Sequence, residues 1–412
     1  MEQKFYICKH CGNIIAKVKD TGVPVICCGE PMSEIIPGTT DAAVEKHVPV
    51  WTVENGIVHV KVGSVEHPML PEHYIEWVSL HTKQGNQRKE LHPGEKPEVC
   101  FALCEGDKVE AQIKFGWEVD AYPVNEIVEA VNAVSQADID TLVEEYYSKY
   151  DILLEGRDEK EFRQHVAVQA GIEIGFERFL EERNYQAIVT HFGDLGGLKQ
   201  LPGLAIQRLM EKGYGFGAEG DWKTAAMVRV MKIMTQGVKD AKGTSFMEDY
   251  TYNLVPGKEG VLEAHMLEVC PTIADGRIAI KEQPLSMGER EDPARLVFTS
   301  KTGPAIATSL VDLGDRFRLI INDVDCKKTE KPMPKLPVAT AFWTPQPNLK
   351  VGTEAWILAG GAHHTAFSYD LSAEQMGDWA ANMGIEAVYI DKDTNIRQFK
   401  NEMNWNSIYY RK

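Results

Sequence analysis

The sequence predicts a multidomain α+β protein: a small metal-stapled unit, an antiparallel β-sandwich, an α/β domain built on a parallel sheet, and a β-rich C-terminal domain. Three observations lead there. Four of the eight cysteines fall between positions 8 and 28. From Val48 to about Leu103 apolar residues recur with a period of two, and past a seam at 104/105 the period becomes 3.6. Apolar strands and amphipathic helices then alternate to Met234, and strands return beyond Gly243. The expected divisions are residues 1–36, 37–104, 105–242 and 243–412.

With 412 residues, 43% of them hydrophobic and 9% aromatic, the chain has the material for several cores. Lys and Arg number 44 against 61 Asp and Glu, a net charge of -17. Such a surface repels nucleic acid and anionic membrane and suits small neutral substrates or metals. No apolar run reaches the roughly 18 residues of a membrane span, and the start, Met1 to Tyr6, has no basic segment followed by an apolar stretch. A cytoplasmic location is expected.

In residues 5–36, Gly12, Gly22 and Gly29 supply turns beside Cys8, Cys11, Cys27 and Cys28. The unit is too short for a hydrophobic core and needs a metal staple. Two paired spacings in one stretch describe a four-thiolate shell, which accepts iron or zinc in tetrahedral geometry. Cys100, Cys104, Cys270 and Cys326 are scattered and read as small buried hydrophobes. Next come strand-like runs at Val50–Val53, Ile57–Val62 and Tyr74–Val78, the first two joined by the hairpin signal Asn55-Gly56.

Behind Ser135, whose hydroxyl can cap a helix, helices are expected over Gln136–Tyr147 and Glu159–Arg183, with Phe162, Val166, Phe176 and Phe179 facing inward. A strand at Ala187–Thr190, a helix at Leu204–Met210, a strand at Tyr214–Phe216 and a helix at Trp222–Met234 make the parallel-sheet pattern. Ligands of such sheets gather at the carboxyl ends of the strands, where His191, Phe192 and Glu219 fall. Ala305–Val311 and Phe317–Asn322 form a hairpin about Leu313-Gly314-Asp315, and Lys328–Pro337 reads as a loop. Glu219, Glu248, His265 and the pair His363-His364 are oxygen and nitrogen donors of the kind that suit a six-coordinate divalent ion.

The front of the chain, residues 1–104, resembles desulforedoxin and, further on, desulfoferrodoxin, the two-domain superoxide reductase. The matching words are Tyr6-Ile7-Cys8 to Cys11-Gly12, Cys27-Cys28-Gly29, Glu45-Lys46-His47-Val48-Pro49-Val50, Lys61 to Val65, His67-Pro68-Met69 and His73 to Trp77. The resemblance implies iron held by Cys8, Cys11, Cys27 and Cys28, equatorial iron ligands at His47, His67 and His73, and a second-sphere pair at Glu45 and Lys46. The family's Cys-Asn-x-His word is missing after Pro97 to Leu103, so the resemblance makes the sandwich truncated and its histidine site incomplete. An electron donor would be a partner if this redox reading holds.

From about Gly106 onward the chain resembles L-arabinose isomerase, through Val109 to Trp117, Gly197 to Leu204, Gly220-Asp221-Trp222-Lys223-Thr224, Ser245 to Tyr252, His265 to Pro271, Asp292 to Leu296 and Ala359 to Thr365. This resemblance implies that Glu219, Glu248, His265 and His364 bind Mn2+, that Glu219 and Glu248 are catalytic, and that Phe192 contacts the sugar. The implied reaction interconverts L-arabinose and L-ribulose by proton transfer through an enediol, a step of arabinose catabolism, in a homo-oligomer. The family's N-terminal α/β domain is not represented, and weakened substrate positioning is the corresponding expectation. Three readings stand open on the sequence: a metal-dependent aldose–ketose isomerase, a non-haem iron redox protein, and an inactive metal-binding fusion.

Overall fold

The computed structural model describes residues 4–17, 22–36, 47–54, 57–63, 65, 67–82, 85–102, 106–193, 195–285, 290–329, 333 and 335–410. It separates into two compact units, Met1–Glu118 and Val119–Lys412. The helix Gly106–Phe115 clusters with the front unit.

In the front unit, strands Lys4–Ile7, Ile14–Lys17 and Ser33–Ile35 form a small antiparallel sheet. Only Cys8 and Met32 are buried among the described residues of 4–36, so the fold there has almost no apolar core. Strands Pro49–Glu54, Ile57–Val62 and Glu98–Ala102 make a second antiparallel sheet, and Trp77–Thr82 pairs with Gly85–Glu90. The first two join across positions 55 and 56, as the Asn-Gly signal anticipates. Strand structure expected from Tyr74 begins only at Trp77. A small cluster of Val58, Val60, Val62, Val78, Leu91, Val99 and Phe101 holds these strands together.

In the back unit, Ser135 caps the helix Gln136–Lys149 by accepting from the Asp138 amide, and Asp158 caps Glu159–Glu182 through the Glu161 amide. The anticipated parallel sheet is small: Ala187–Thr190 pairs with Gly215–Ala218, and Asp151–Leu153 pairs with Ala279–Glu282. The second pair joins residues from both sides of 242/243, and one apolar core runs from Val143 to Tyr369.

The dominant element is a seven-stranded sheet. Its order is Gly303–Asp312, His364–Ser368, Thr244–Asn253, Gly260–Ala264, Thr340–Pro345, Phe317–Cys326 and Glu386–Ile390. Because Gly303–Asp312 also pairs with Phe317–Cys326, the first six strands close into an antiparallel barrel. Met247, Val261, Ala307, Val324, Ala341, Trp343 and Phe367, drawn from all six, lie in one cluster and mark the inward face. The helices Leu349–Ala359, Ala373–Met383 and Ile396–Tyr409 depart from the β-rich expectation. No helix of the described residues is long and apolar enough to cross a membrane.

Candidate metal centres

The four-cysteine site is assembled on two tight turns. The Gly12 amide donates to the Cys8 carbonyl at 2.9 Å and the Cys8 amide to the Asn13 carbonyl at 2.9 Å, while Cys28 takes a left-handed φ of 52° ahead of Gly29. Cys11 Sγ lies 3.7 Å from Cys27 Sγ, and Cys27 Sγ 4.0 Å from Cys28 Sγ. Four sulfurs at about 2.3 Å from a tetrahedral ion stand about 3.8 Å apart, whereas a disulfide needs about 2.05 Å. The donor set therefore fits one tetrahedral ion. Backbone amides of Cys11 and His10 bring the Cys8 thiol down to about 6, and shared hydrogen bonding with Cys11 first, then Cys27, drives Cys28 up to about 12.

His47, His67 and His73 also converge, with ring centroids 4.7, 5.8 and 4.8 Å apart in the pairs 47/67, 47/73 and 67/73. One donor atom from each lies within 4.8 Å of the others. His73 is fixed by reciprocal backbone hydrogen bonds with Leu70, both 3.0 Å. Glu45, Lys46 and Cys104 lie outside the described residues. Cys100, read from sequence as buried, is exposed and sits across the strand pair from His59, Sγ to Nδ1 3.2 Å, so it is not grouped with the three histidines.

The third centre lies on the outer face of the barrel. Glu248 and His364 are directly opposite on neighbouring strands, and His265 follows the end of the next strand. His265 Nε2 is 3.8 Å from Glu248 Oε2, and the rings of His265 and His364 are 6.0 Å apart. Phe246 packs edge-on against both, at 5.0 and 4.9 Å. Glu219 comes from elsewhere: it follows the strand Gly215–Ala218 in a left-handed conformation, φ 58°, which strains a residue with a side chain. Its carboxylate, His363 and His364 bring donor atoms within 4.8 Å of one another. The strand that leads into Glu219 runs hard against the start of the next helix, because a Cβ on Gly217 would stand 2.0 Å from the Asp221 carbonyl oxygen.

Behind the histidines stand two carboxylates that the sequence reading leaves unassigned as histidine partners. Asp221 caps the helix Trp222–Met234 through the Thr224 amide, and its Oδ2 also meets His364 Nδ1 at 3.2 Å. Burial opposes its ionisation, yet the hydrogen bonds from His364 and Thr224 hold its carboxyl below the usual range. Glu268 Oε2 meets His265 Nδ1 at 2.5 Å. Burial acts to lower the His265 pKa, but Glu268, then Glu248 and Glu219, raise it on balance. Each imidazole is thus held at Nδ1, leaving Nε2 for an ion, the usual carboxylate–histidine–metal order. His364 Nε2 is buried and has no protein partner. His363, set aside from sequence in favour of His364, is exposed beside it with ring centroids 4.2 Å apart. Phe192 follows the neighbouring strand Ala187–Thr190, half-exposed and stacked on His191 at 4.8 Å.

The three family matches all begin after the four-cysteine segment. A desulfoferrodoxin model matches residues 39–115, an L-arabinose isomerase central-domain model residues 98–237, and an L-arabinose isomerase C-terminal-domain model residues 243–386. The L-arabinose isomerase of Geobacillus stearothermophilus is 51% identical over 354 residues, covering 85% of this chain and 70% of that protein. L-arabinose isomerase 1 of Bacillus licheniformis is 55% identical over 310 residues, covering 75% and 61%. Among solved structures, the superoxide reductase from Treponema pallidum is 45% identical, covers 25% of this chain and 83% of that chain, and superposes with a TM-score of 0.22. By the identity and reach of these relatives, the chain carries a desulfoferrodoxin-like front and belongs to the L-arabinose isomerase family.

Proposed function

We propose that the back unit converts L-arabinose to L-ribulose and back, with Glu219, Glu248, His265 and His364 holding Mn2+ and the two glutamates moving the proton between C1 and C2. The observation that carries this reading is that His265 has Glu268 behind Nδ1 and Glu248 3.8 Å from Nε2, while His364 has Asp221 behind Nδ1 and a donor atom of Glu219 within 4.8 Å of it. When bound, the divalent ion supplies Lewis acidity toward the sugar oxygens. Glu219 and Glu248 reach the site from separate parts of the fold, one from a strained turn and one from the barrel, in keeping with places near opposite ends of the reacting C1–C2 bond. Asp221 and Glu268 keep the imidazoles in one tautomer and orientation. Phe192, exposed at the strand end next to Glu219, offers an apolar face to the sugar.

The four segments 1–36, 37–104, 105–242 and 243–412 are read as the units from which the chain is composed, the second a truncated sandwich. The front is read as an iron-binding module, supported by sulfur spacings that match a tetrahedral ion. A three-histidine centre with Lys46 and Glu45 around it belongs to the same redox reading, which needs an electron donor. The cytoplasm suits a chain whose described cysteines are all free, and a homo-oligomer is part of the isomerase reading.

The full-length chain with Mn2+ is expected to form L-ribulose from L-arabinose, and Glu219→Gln or Glu248→Gln to lower kcat by about 10²–10⁴. Turnover that survives in both variants would remove the glutamates from the mechanism.

A further inference from the structure

The inner face of the barrel carries polar residues that the isomerase site does not use. Successive residues of a strand point to opposite faces. The strands that present Glu248 and His364 outward therefore present their neighbours Asp249 and Thr365 the other way, and Glu263 lies on the same inward face as Val261. Asp249 and Glu263 are directly opposite on adjacent antiparallel strands. Like charges in that relation destabilise a sheet unless something stands between them.

A cavity of about 40 Å3 opens at this place, lined by Asp249, Glu263, Asn322 and Thr365 together with Tyr252, Trp343, Trp356 and His363, the neighbour of His364. Glu263 is 2% exposed, and Asn322 and Thr365 are each 5% exposed. Glu263 Oε2, Asn322 Oδ1 and Thr365 Oγ1 are buried with no hydrogen-bond partner in the protein. Leaving three such atoms unsatisfied is costly, so a polar occupant is called for. No lysine or arginine is among the described lining residues to neutralise the carboxylates. Tyr252 donates its hydroxyl to Asp249 Oδ2, which orders that carboxylate without cancelling its charge.

Oxygen donors dominate the lining, with His363 the imidazole among them, and burial together with Asp249 and Glu248 raises the Glu263 carboxyl. A cation between the two carboxyls would let both ionise, and such an irregular oxygen-rich shell matches a hard cation that tolerates variable coordination better than one that demands an octahedron. A single water needs about 10–15 Å3, so the cavity has room for an ion with one or two waters. We propose that this cavity is a second cation site, taking one ion of the calcium class between the Asp249 and Glu263 carboxylates, the Asn322 amide oxygen and the Thr365 hydroxyl. It stands on the opposite face of the same strands from the isomerase centre and does not depend on the reaction assigned there. Its consequence is structural: the ion ties together four strands of the barrel, including those that carry Glu248 and His364.

Trp343, Trp356 and Tyr252 line the cavity and make it addressable by Tb3+, a luminescent substitute for Ca2+ excited through neighbouring aromatics. Full-length protein with its four-cysteine site loaded is titrated with Tb3+, and Ca2+ is then added as competitor. One equivalent of sensitised Tb3+, displaced by Ca2+, is expected, with at least tenfold weaker binding in Glu263→Gln and in Thr365→Val. His265→Gln should leave it unchanged. Circular dichroism checks each variant, and Thr365→Val carries the test if Glu263→Gln does not fold. Equal Ca2+ affinity in the folded variants overturns the proposal, as does absence of Ca2+-displaceable emission. Loss of emission in His265→Gln alone does so too, by returning the signal to the isomerase centre.

Discussion

The four-cysteine site and the proposed isomerase centre would solve the same problem, holding a metal, from opposite starting points. In the first, four ligands come from 21 consecutive positions, 8 to 28, in a segment that buries little besides Cys8 and Met32. There a bound ion would be the core. In the second, ligand candidates from positions 219 to 364 are brought together by a closed barrel, a parallel strand pair and a core running from Val143 to Tyr369. There the fold stands first, and the ion is added to a shell already oriented by Asp221 and Glu268. A site built by its metal should lose structure with it, and a site built by its fold should lose only affinity.

The largest effect expected from that contrast is at Cys8. Removing one thiolate from a structural four-thiolate shell forfeits most of a binding energy on the order of 10 kcal/mol. Cys8→Ser should leave residues 4–36 without metal and without protection from hydrogen exchange, while the back unit keeps its melting temperature. Exchange protection that survives in Cys8→Ser would show that the small sheet holds itself together. The corresponding change in the back unit is smaller. Glu268→Gln removes the carboxylate behind His265 and should weaken Mn2+ binding about 10–100-fold with little change in melting temperature. Calorimetry reads the first quantity and thermal unfolding the second. A variant that unfolds instead would place Glu268 among the structural residues.

How much of each site the chain reveals before folding follows from the same difference. Cys8, Cys11, Cys27 and Cys28 are legible because a short loop fixes both spacing and geometry, as are the hairpin across Asn55-Gly56 and the Ser135 cap. Glu219, Glu248, His265 and His364 are single letters far apart, and only family resemblance joins them. Nothing local says that the strand of His364 will lie between those of Gly303–Asp312 and Thr244–Asn253, because closing the barrel depends on pairings more than a hundred residues apart in places. Glu268 escapes notice because an acidic residue three positions after a histidine is common, and Asp221 because its capping role already accounts for it. The helix Leu349–Ala359 does carry signals, Asn348 before it and Gly360 at φ 88° after it. They are outweighed by the apolar runs around them.

The finest test concerns protons at the thiolate shell, where the two kinds of site also part. In the folded protein the amides of Cys11 and His10 hold the Cys8 thiol at about 6, below its ordinary 9.0. A depressed pKa means the fold favours the thiolate. Its contribution is therefore fully present above about 9 and is lost as pH falls through about 6. The tight turn closed by the Gly12 amide on the Cys8 carbonyl is expected to outlast the small sheet when the metal is removed, so in metal-free protein the first step of thiolate absorbance should appear near pH 6, and Cys8→Ser should abolish that step. Cys28, pushed to about 12, stays protonated throughout the neutral range until an ion displaces its proton. Metal uptake near neutrality should accordingly begin at Cys8 and release protons from Cys27 and Cys28, whose thiols are both raised. A first titration step at the ordinary thiol value would mean that the turn does not prepare Cys8, and that the metal alone organises the shell.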